Sequence, residues 1–552
     1  MRKICFINPA FPESLWSLRA VTSLLGKKAP FAPLGLATIA ACTASDFEIE
    51  IYDEEIESIN FDTDADIIAL TAFNVQAARA FDIAREFRRR GKLVCMGGAY
   101  ASLCPEKCAP HVDVLLEGEG EHIWRKFLAD YKERTYANHY KQNQKISMLS
   151  SPVPRYELLK VNEYLAFPVQ TSRGCPFTCE FCDIIVTDGR IPRTKSVEQV
   201  LAEIQRLHQL GVGEVLFTDA NFIGNPKYAK ELVEALRSFG RKRGFPIKFA
   251  CEATINLATN EELLGSMQEA NFDRVFVGIE SPRKSSLIET KKLVNTRRSL
   301  VDSIRTIQSY GIHVGAGMIV GFDSDDKGIF QEQFDFLTEA GIPITTVGTL
   351  VALDKTPLFQ RLEREGRLVA HEFVNIQGHG ASDTNFIPKQ MTLEELQHGY
   401  NWLVRALYAY DNYSTRVLRC MNSFPKNGNW RKTLIRNTRD ARAFMRANGI
   451  RSLLRLLKIS TKVFSYSLLG AGEVRRFFLS TIFKTLKGGA TYQRLLAAGT
   501  LLVFHKHFHD YVTRAHGNPE SASRLSPYSF TACDNMVPSG CLPAVVEMKR
   551  GC

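Results

Sequence analysis

Residues 171–190 read TSRGCPFTCEFCDIIVTDGR, and the C-x3-C-x2-C spacing of Cys175, Cys179 and Cys182 decides how the rest of the chain is read. Three thiolates are one short of the four that hold a cubane iron–sulfur cluster. An iron left without a protein ligand is a place where a substrate binds and is reduced. A zinc site would need a fourth nitrogen or sulfur ligand close by, and the nearest downstream candidates, His208 and Cys251, lie far off on a predicted helix and a strand end.

The segments around this loop alternate. PVQTS leads into it, and EVLFTDA, KFACEA, RVFVGIE, HVGAGMIVGF and TTVGTLVAL follow as apolar runs separated by helical stretches such as SVEQVLAEIQRLHQLG. Six strands in βα order predict a partial TIM-like barrel over 165–370, with its chemistry at the C-terminal strand ends. At those ends stand Asp219 and Asn221, then Glu252, then Glu280 with Ser281, and finally Gly317, Ile319 and Gly321 followed by Asp323. Any one of these acids also reads as a helix cap or a loop brace; their shared location carries more weight.

Residues 1–140 show the same alternation: KICFINP, FEIEIYD, ADIIALTAF, KLVCMGGAY and DVLLEG read as strands, with VQAARAFDIAREFRRRG helical between two of them. The fold class is therefore α/β, with an N-terminal Rossmann-like, doubly wound sheet whose crevice lies at the C-terminal strand ends. Asn8, Pro9, Thr71, Ala72, Asn74, Gly97, Gly98, Glu117 and Glu119 fall there. Paired glycines let a bulky ligand approach the backbone, and they also read as plain turn formers. A polar linker (141–164) joins the two halves. Residues 371–515 read as a mainly helical C-terminal domain, and 516–552, rich in Pro, Ser and Gly, as a disordered tail.

Composition narrows the class. The chain has 552 residues, 45% hydrophobic content and 13 cysteines without a disulfide-like pattern. No signal peptide is legible at the start, so a reducing cytoplasm is expected. The longest apolar run toward the C-terminus, Leu495–Phe504, is about ten residues, short of the ~20 needed to span a bilayer. Of the net +11, residues 401–500 carry +16, with 19 Lys and Arg against 3 Asp and Glu, which leaves −5 for the remainder. This basic, amphipathic segment reads in two ways. Residues 430–490 rest on the inner face of an anionic membrane, or the helices dock with their arginines toward solvent or an acidic domain of the same chain. No RNA-binding module is recognisable, which argues against nucleic acid. Cys104, Cys108, Cys533, Cys541 and Cys552 read as incidental thiols.

The series SRGCPFTCEFCDI, GRIPRTK, NFIGN, FVGIES, VGFDSD and TNFIP resembles a branch of the cobalamin-binding radical S-adenosylmethionine (SAM) family, and GGAY and EGEGE resemble that family's cobalamin domain. The branch carries a C-terminal domain of unknown function and includes the hopanoid C-2 methylases. The resemblance implies a 4Fe–4S cluster on Cys175, Cys179 and Cys182. It implies SAM contacts from Phe181, Asp219, Asn221, Glu252, Glu280, Ser281, Gly317, Ile319 and Gly321, and cobalamin bound base-off on the N-terminal strand ends, since no D-x-H-x-x-G offers a histidine to cobalt. The implied reaction moves a methyl group from SAM through methylcobalamin to an unactivated carbon of a lipid or small-molecule natural product. It would draw electrons from a flavodoxin- or ferredoxin-type donor and need no acid–base catalyst. Asp219 departs from the superfamily's common GGE, TDAN replaces VDDN, and GHGASDTNF replaces an asparagine-rich lead-in, so no relative's substrate is carried over. Two other outcomes stay open. One is a radical SAM enzyme that cyclises, rearranges or transfers another SAM-derived group. The other is a transfer-RNA methylthiotransferase, which would need a second cluster for which Cys5, Cys42 and Cys95 are loosely spaced.

Overall fold

The computed structural model of the chain describes residues 2–244, 247–369, 384–425, 461–462, 465–469, 471–488 and 492–522. Strand β1 (Arg2–Asn8) sends Ile4 and Phe6 to one face of its sheet and Cys5 and Ile7 to the other, and both faces are covered. That two-sided burial explains the continuous apolar run and the all-parallel pairing. The next strand, β2 (Ala29–Phe31), leaves this sheet. β1 instead lies between β3 (Phe47–Asp53) and β4 (Ile67–Thr71), and the sheet runs on through β5 (Leu93–Gly97), β6 (Val114–Glu117) and β7 (His139–Lys141). The chain reverses its winding between β1 and β4, where a doubly wound sheet opens its crevice. Five of these strands coincide with the five segments expected from the sequence.

The second sheet has β8 (Tyr164–Val169) leading into a two-residue antiparallel pair, β9 (Ser172–Arg173) and β10 (Arg193–Thr194), that frames the cysteine loop. Then come β11 (Glu214–Phe217), β12 (Lys248–Ala253), β13 (Phe272–Glu280), β14 (His313–Val320) and β15 (Thr345–Thr349), in parallel order. The intervening helices start and stop where the sequence dictates. Ser196 and Gln199 form a capping box before Val197–Gln209. Asn225 caps Pro226–Arg243, which ends at Gly244 in the left-handed region.

One strand was not expected. β2 pairs with β8 as the far edge of the barrel sheet, Ala29 against Tyr164 and Phe31 against Ala166. Leu15, Leu18, Val21 and Ala29 belong to the hydrophobic core of the barrel. The first 140 residues are therefore not a separable unit, because residues 15–31 complete the second one.

Helices Leu393–Tyr408, Tyr410–Ser423, Gly472–Lys487 and Tyr492–His516 pack on the outer helices of the barrel and on one another. Gly399 permits the closest approach, since a Cβ there would stand 2.0 Å from the Phe330 ring. A short helix, Pro519–Ala522, packs with its ends buried against Leu393–Tyr408, so order extends past the residue 515 boundary drawn from composition. Most of the basic stretch before residue 461, and Cys533, Cys541 and Cys552, lie outside the described residues. No described helix is long and apolar enough to cross a membrane.

Candidate active site

The cysteine loop turns at Gly174, whose φ of 97° suits glycine and whose Cβ would stand 2.7 Å from the Ile191 carbonyl oxygen. Backbone N–H groups fix its shape: Cys175 donates to Gly189 O (3.1 Å), Cys182 to Cys179 O (3.2 Å) and Glu180 to Thr290 O (3.1 Å). Burial pushes the Cys182 thiol up to about 12 and raises that of Cys179, while the Lys292 ammonium nearby pulls both down. Thiolates here need positive charge to form, which is what a metal cluster supplies.

Several strand-end residues surround this loop. Lys292 Nζ lies 2.9 Å from Glu280 Oε1, both side chains nearly buried. Glu280 has φ 65°, a conformation few non-glycine residues adopt and one that marks functional strain. Asn295 Nδ2 donates to the carbonyls of Gly278 (3.0 Å) and Ile279 (2.9 Å), holding that turn. Gly321, at φ 99°, and Phe322 donate their N–H groups to Asp325 (3.0 and 3.1 Å), whose carboxyl burial pushes up to about 7. Phe181 packs against Phe322, ring centroids 6.1 Å apart, in a cluster with Ile319. Gly317 pairs with Gly278, and a Cβ on it would press on the Phe276 ring at 3.3 Å. The fold thus groups Phe181, Glu280, Ser281, Gly317, Ile319 and Gly321 around one end of the barrel, beside the cysteines.

Asp219 does something else. Its carboxylate accepts from Thr171 N–H (2.6 Å), Ser172 N–H (2.7 Å) and the Thr171 hydroxyl (2.5 Å), all buried where the chain passes from β8 into β9. Both oxygens are spent, so the acid expected to touch SAM is a brace that aims the chain into the cysteine loop. Asn221 Oδ1 likewise accepts from Thr254 N–H (3.2 Å).

Glu252 is the contrasting case. It sits across from Phe276 on the inner face of the barrel; its carbonyl accepts from Phe222 N–H (2.8 Å), and its carboxyl has no hydrogen-bond or ion-pair partner among the described residues. Burial, then the Asp219 charge, pushes its carboxyl up to about 7. The native state therefore holds this proton between about pH 4.5, the ordinary value, and 7, where the unfolded chain has lost it. Stability must fall as pH rises through that window. Glu252→Gln is expected to match the wild type near pH 5 and to exceed it by up to about 3 kcal/mol at pH 8, read as urea midpoints of the apo protein. Equal midpoints at pH 8 would mean that the carboxylate is solvated in place.

At the N-terminal crevice, Gly98 has φ 93°, and a Cβ there would stand 2.4 Å from Thr71 Oγ1. Phe73, 57% exposed, stands at the rim beside Phe11, ring centroids 6.1 Å apart. Thr71, Ala72, Asn74, Gly97, Gly98 and Pro9 line these strand ends with small side chains and backbone. Asn8, Glu117 and Glu119, also expected to contact a ligand, are instead engaged within the protein. Asn8 donates to Asp53 (2.9 Å) and accepts from Gln76 (3.2 Å), and Glu117 pairs with His139 and Lys141, each at 3.0 Å.

Glu119 is the most consequential of these corrections. It accepts from Arg173 (3.0 Å) and Arg193 (2.8 Å), and Glu121 from Arg173 (2.7 Å). Burial alone would raise the Glu119 carboxyl, but Gln142, the Ile146 N–H and Arg173 hold it down at about 2. Arg173 and Arg193 are the paired residues of β9 and β10, so EGEGE grips the frame of the cysteine loop. The helix that follows the cysteines, Ile184–Thr187, packs on helix Ala99–Leu103, with Val186 against the N-terminal core. A second brace comes from beyond the barrel: Arg361 joins Glu180 of the loop (2.7 Å) to Asp323 (2.7 Å).

Arg173, Arg193, Lys292, Asp325 and Arg361 escaped the sequence reading. A glutamate destined for burial announces a need for a cation, but not which of the 70 lysines and arginines answers it. Cys5 packs on one face of the N-terminal sheet and Cys42 and Cys95 on the other, so these three do not assemble.

Comparison with known proteins agrees with this architecture. Residues 169–351 match the radical SAM superfamily and 356–521 a domain of unknown function, DUF4070. The chain is 37% identical over 419 residues to an uncharacterized methyltransferase of Synechocystis sp., covering 75% of this chain and 77% of that one. It is 36% identical over 376 residues to the hopanoid C-2 methylase of Rhodopseudomonas palustris, covering 67% and 71%. Among solved structures, the cobalamin-dependent SAM radical enzyme OxsB shares the fold, with a TM-score of 0.58 at 16% identity over 92% of this chain and 80% of that one. The chain belongs to the radical SAM superfamily, in the branch that joins this barrel to DUF4070 and contains the hopanoid C-2 methylase.

Proposed function

We propose that this protein is a cobalamin-dependent radical SAM methyltransferase that places a methyl group on an unactivated carbon of a lipid or small-molecule natural product. The observation that carries the reading is the Glu119, Glu121, Arg173 and Arg193 cluster, which ties the frame of the cysteine loop to the N-terminal half just beyond its strand ends. Both relatives quoted above are methyltransferases by name.

Cys175, Cys179 and Cys182 would hold the cluster. SAM would lie along Phe181, Glu280, Ser281, Gly317, Ile319 and Gly321, with Asn221 and Glu252 farther along the strand ends. The cobalamin ring would rest on Pro9, Thr71, Ala72, Asn74, Gly97 and Gly98, where a side chain on Gly98 would fill the space. When bound, the reduced cluster supplies the electron that cleaves SAM to methionine and a 5′-deoxyadenosyl radical, and cobalamin supplies the methyl carrier.

The residues themselves position and neutralise. Lys292 neutralises Glu280 and offsets the charge of the cysteine thiolates. Asp325 keeps the Gly321 turn open by holding two backbone N–H groups, and Arg361 ties the cysteine loop to that turn through Glu180 and Asp323. Inside the barrel Trp16 of the N-terminal half stands edge-on to Phe276 at 5.1 Å, across the strands from Glu252. The electron would come from an external flavodoxin- or ferredoxin-type donor.

The test is anaerobic purification with cobalamin supplied and the cluster reconstituted, followed by assay of iron, sulfide, cobalamin and 5′-deoxyadenosine formed from SAM under reduction. About four irons, bound cobalamin and 5′-deoxyadenosine that disappears in Cys179→Ala are expected. Iron and 5′-deoxyadenosine without cobalamin would shift the assignment to a radical SAM reaction of another outcome, and zinc in place of iron would overturn both.

A further inference from the structure

Helix Gly472–Lys487 carries large apolar side chains on two faces: Phe477, Phe478 and Ile482 pack toward the core, and a second row points outward. Its inner face meets helix Tyr410–Ser423 through Phe477, which packs on Tyr410 (ring centroids 5.1 Å), and through Thr481, whose hydroxyl lies 2.7 Å from that of Ser414. Thr485 continues this buried face and donates to the Thr481 carbonyl at 2.8 Å. Leu479, Phe483 and Leu486, at i, i+4 and i+7, form the opposite face and are 49%, 56% and 49% exposed. A helix whose outer face meets only water exposes threonine before leucine and phenylalanine; here two threonines share the inner face with Phe477, Phe478 and Ile482, while three large apolar residues lie outside.

The flanks of this face are cationic. Arg475, Arg476, Lys484 and Lys487 are all exposed, against the single acid Glu473, and Lys487 Nζ lies over the Phe483 ring at 4.9 Å. We propose that Leu479, Phe483 and Leu486, bordered by these four cations, form a docking face for an anionic phospholipid bilayer, on which the helix lies in the plane of the headgroups. The composition is that of an interfacial helix: apolar residues reach the acyl boundary while long basic side chains meet lipid phosphates. A second copy of this chain fits poorly, since a two-fold contact would set the same four cations against themselves. No cofactor touches this surface as proposed, so it stands or falls apart from the proposed reaction.

Flotation of the full-length protein with vesicles tests it, using phosphatidylcholine alone and an equal mixture of phosphatidylcholine and phosphatidylglycerol. Binding to the mixed vesicles only, weakened by salt, is expected. The triple variant Leu479→Ser, Phe483→Ser, Leu486→Ser should bind at least tenfold more weakly. Its exposed positions should leave the thermal transition and 5′-deoxyadenosine formation as in the wild type, which separates this result from a failure of the enzyme assignment. Arg475→Gln with Arg476→Gln should also lose about tenfold or more. Wild-type protein that stays with neither vesicle, or a triple variant that floats as well as wild type, would overturn the proposal. So would a wild-type dimer that the triple variant converts to monomer.

Discussion

Arg173→Met is expected to destabilise the protein by about 3–5 kcal/mol and to lower the iron it retains after reconstitution. Glu121 is almost fully buried, and without Arg173 its remaining partner is the Ser151 hydroxyl at 3.2 Å. Glu119 keeps Arg193, Gln142 and the Ile146 N–H, so the loss falls on one buried carboxylate with no cation beside it. Most of the cost is that uncompensated charge, which a second substitution isolates. Arg173→Met with Glu121→Leu should recover most of the stability, because a buried pair replaced by apolar groups is often neutral. Iron retention should not recover to the same degree, since the frame of the cysteine loop has lost one of its two anchored arginines. Urea unfolding of the apo forms and iron per chain give the two readings. Equal stability of wild type and Arg173→Met would show that the cluster is not the anchor argued here.

A chain that starts at residue 142 is expected to be insoluble or to bind hydrophobic dyes, although it contains the whole of the barrel as the sequence delimits it. Removing β2 uncovers the edge of β8, a parallel strand with unpaired backbone groups. It strips Leu15, Leu18, Val21 and Ala29 from the barrel core. It also leaves the buried Tyr164 hydroxyl without Asp53, its acceptor at 2.9 Å. Each loss is of a size that unfolds a marginal protein. Soluble, cooperatively melting protein from that fragment would show that the segment 15–31 decorates the barrel rather than completing it.

Legibility in the sequence followed the range of the interaction. The cysteine loop was readable because its three thiols lie within eight residues, and its chemistry follows from ligand number. The strands were readable because apolar runs of four to nine residues bounded by Gly, Asn and Asp leave little choice of secondary structure. β2 was not readable: three residues carry no periodicity, and APF becomes a strand only because Ala166 and Tyr164 offer it an edge. Asp219, Glu119 and Glu117 looked like ligands because they stand at strand ends. Whether a carboxylate there faces a ligand or is consumed by neighbouring N–H groups and cations depends on partners 22 to 74 residues away.

By itself the sequence determined the α/β alternation, the barrel with its cysteine loop and the positions of the glycines at the N-terminal strand ends. These depend on local spacing, which survives in the order of residues. Only the tertiary structure decided which acids remain available and which brace, that Lys292 stands between Glu280 and the cysteines, and that residues 15–31 belong to the barrel. Tertiary structure alone also turned Leu479, Phe483 and Leu486 outward. Each of these is settled by a buried charge or an apolar face finding its partner across the fold, and one-dimensional spacing records the need but not the partner.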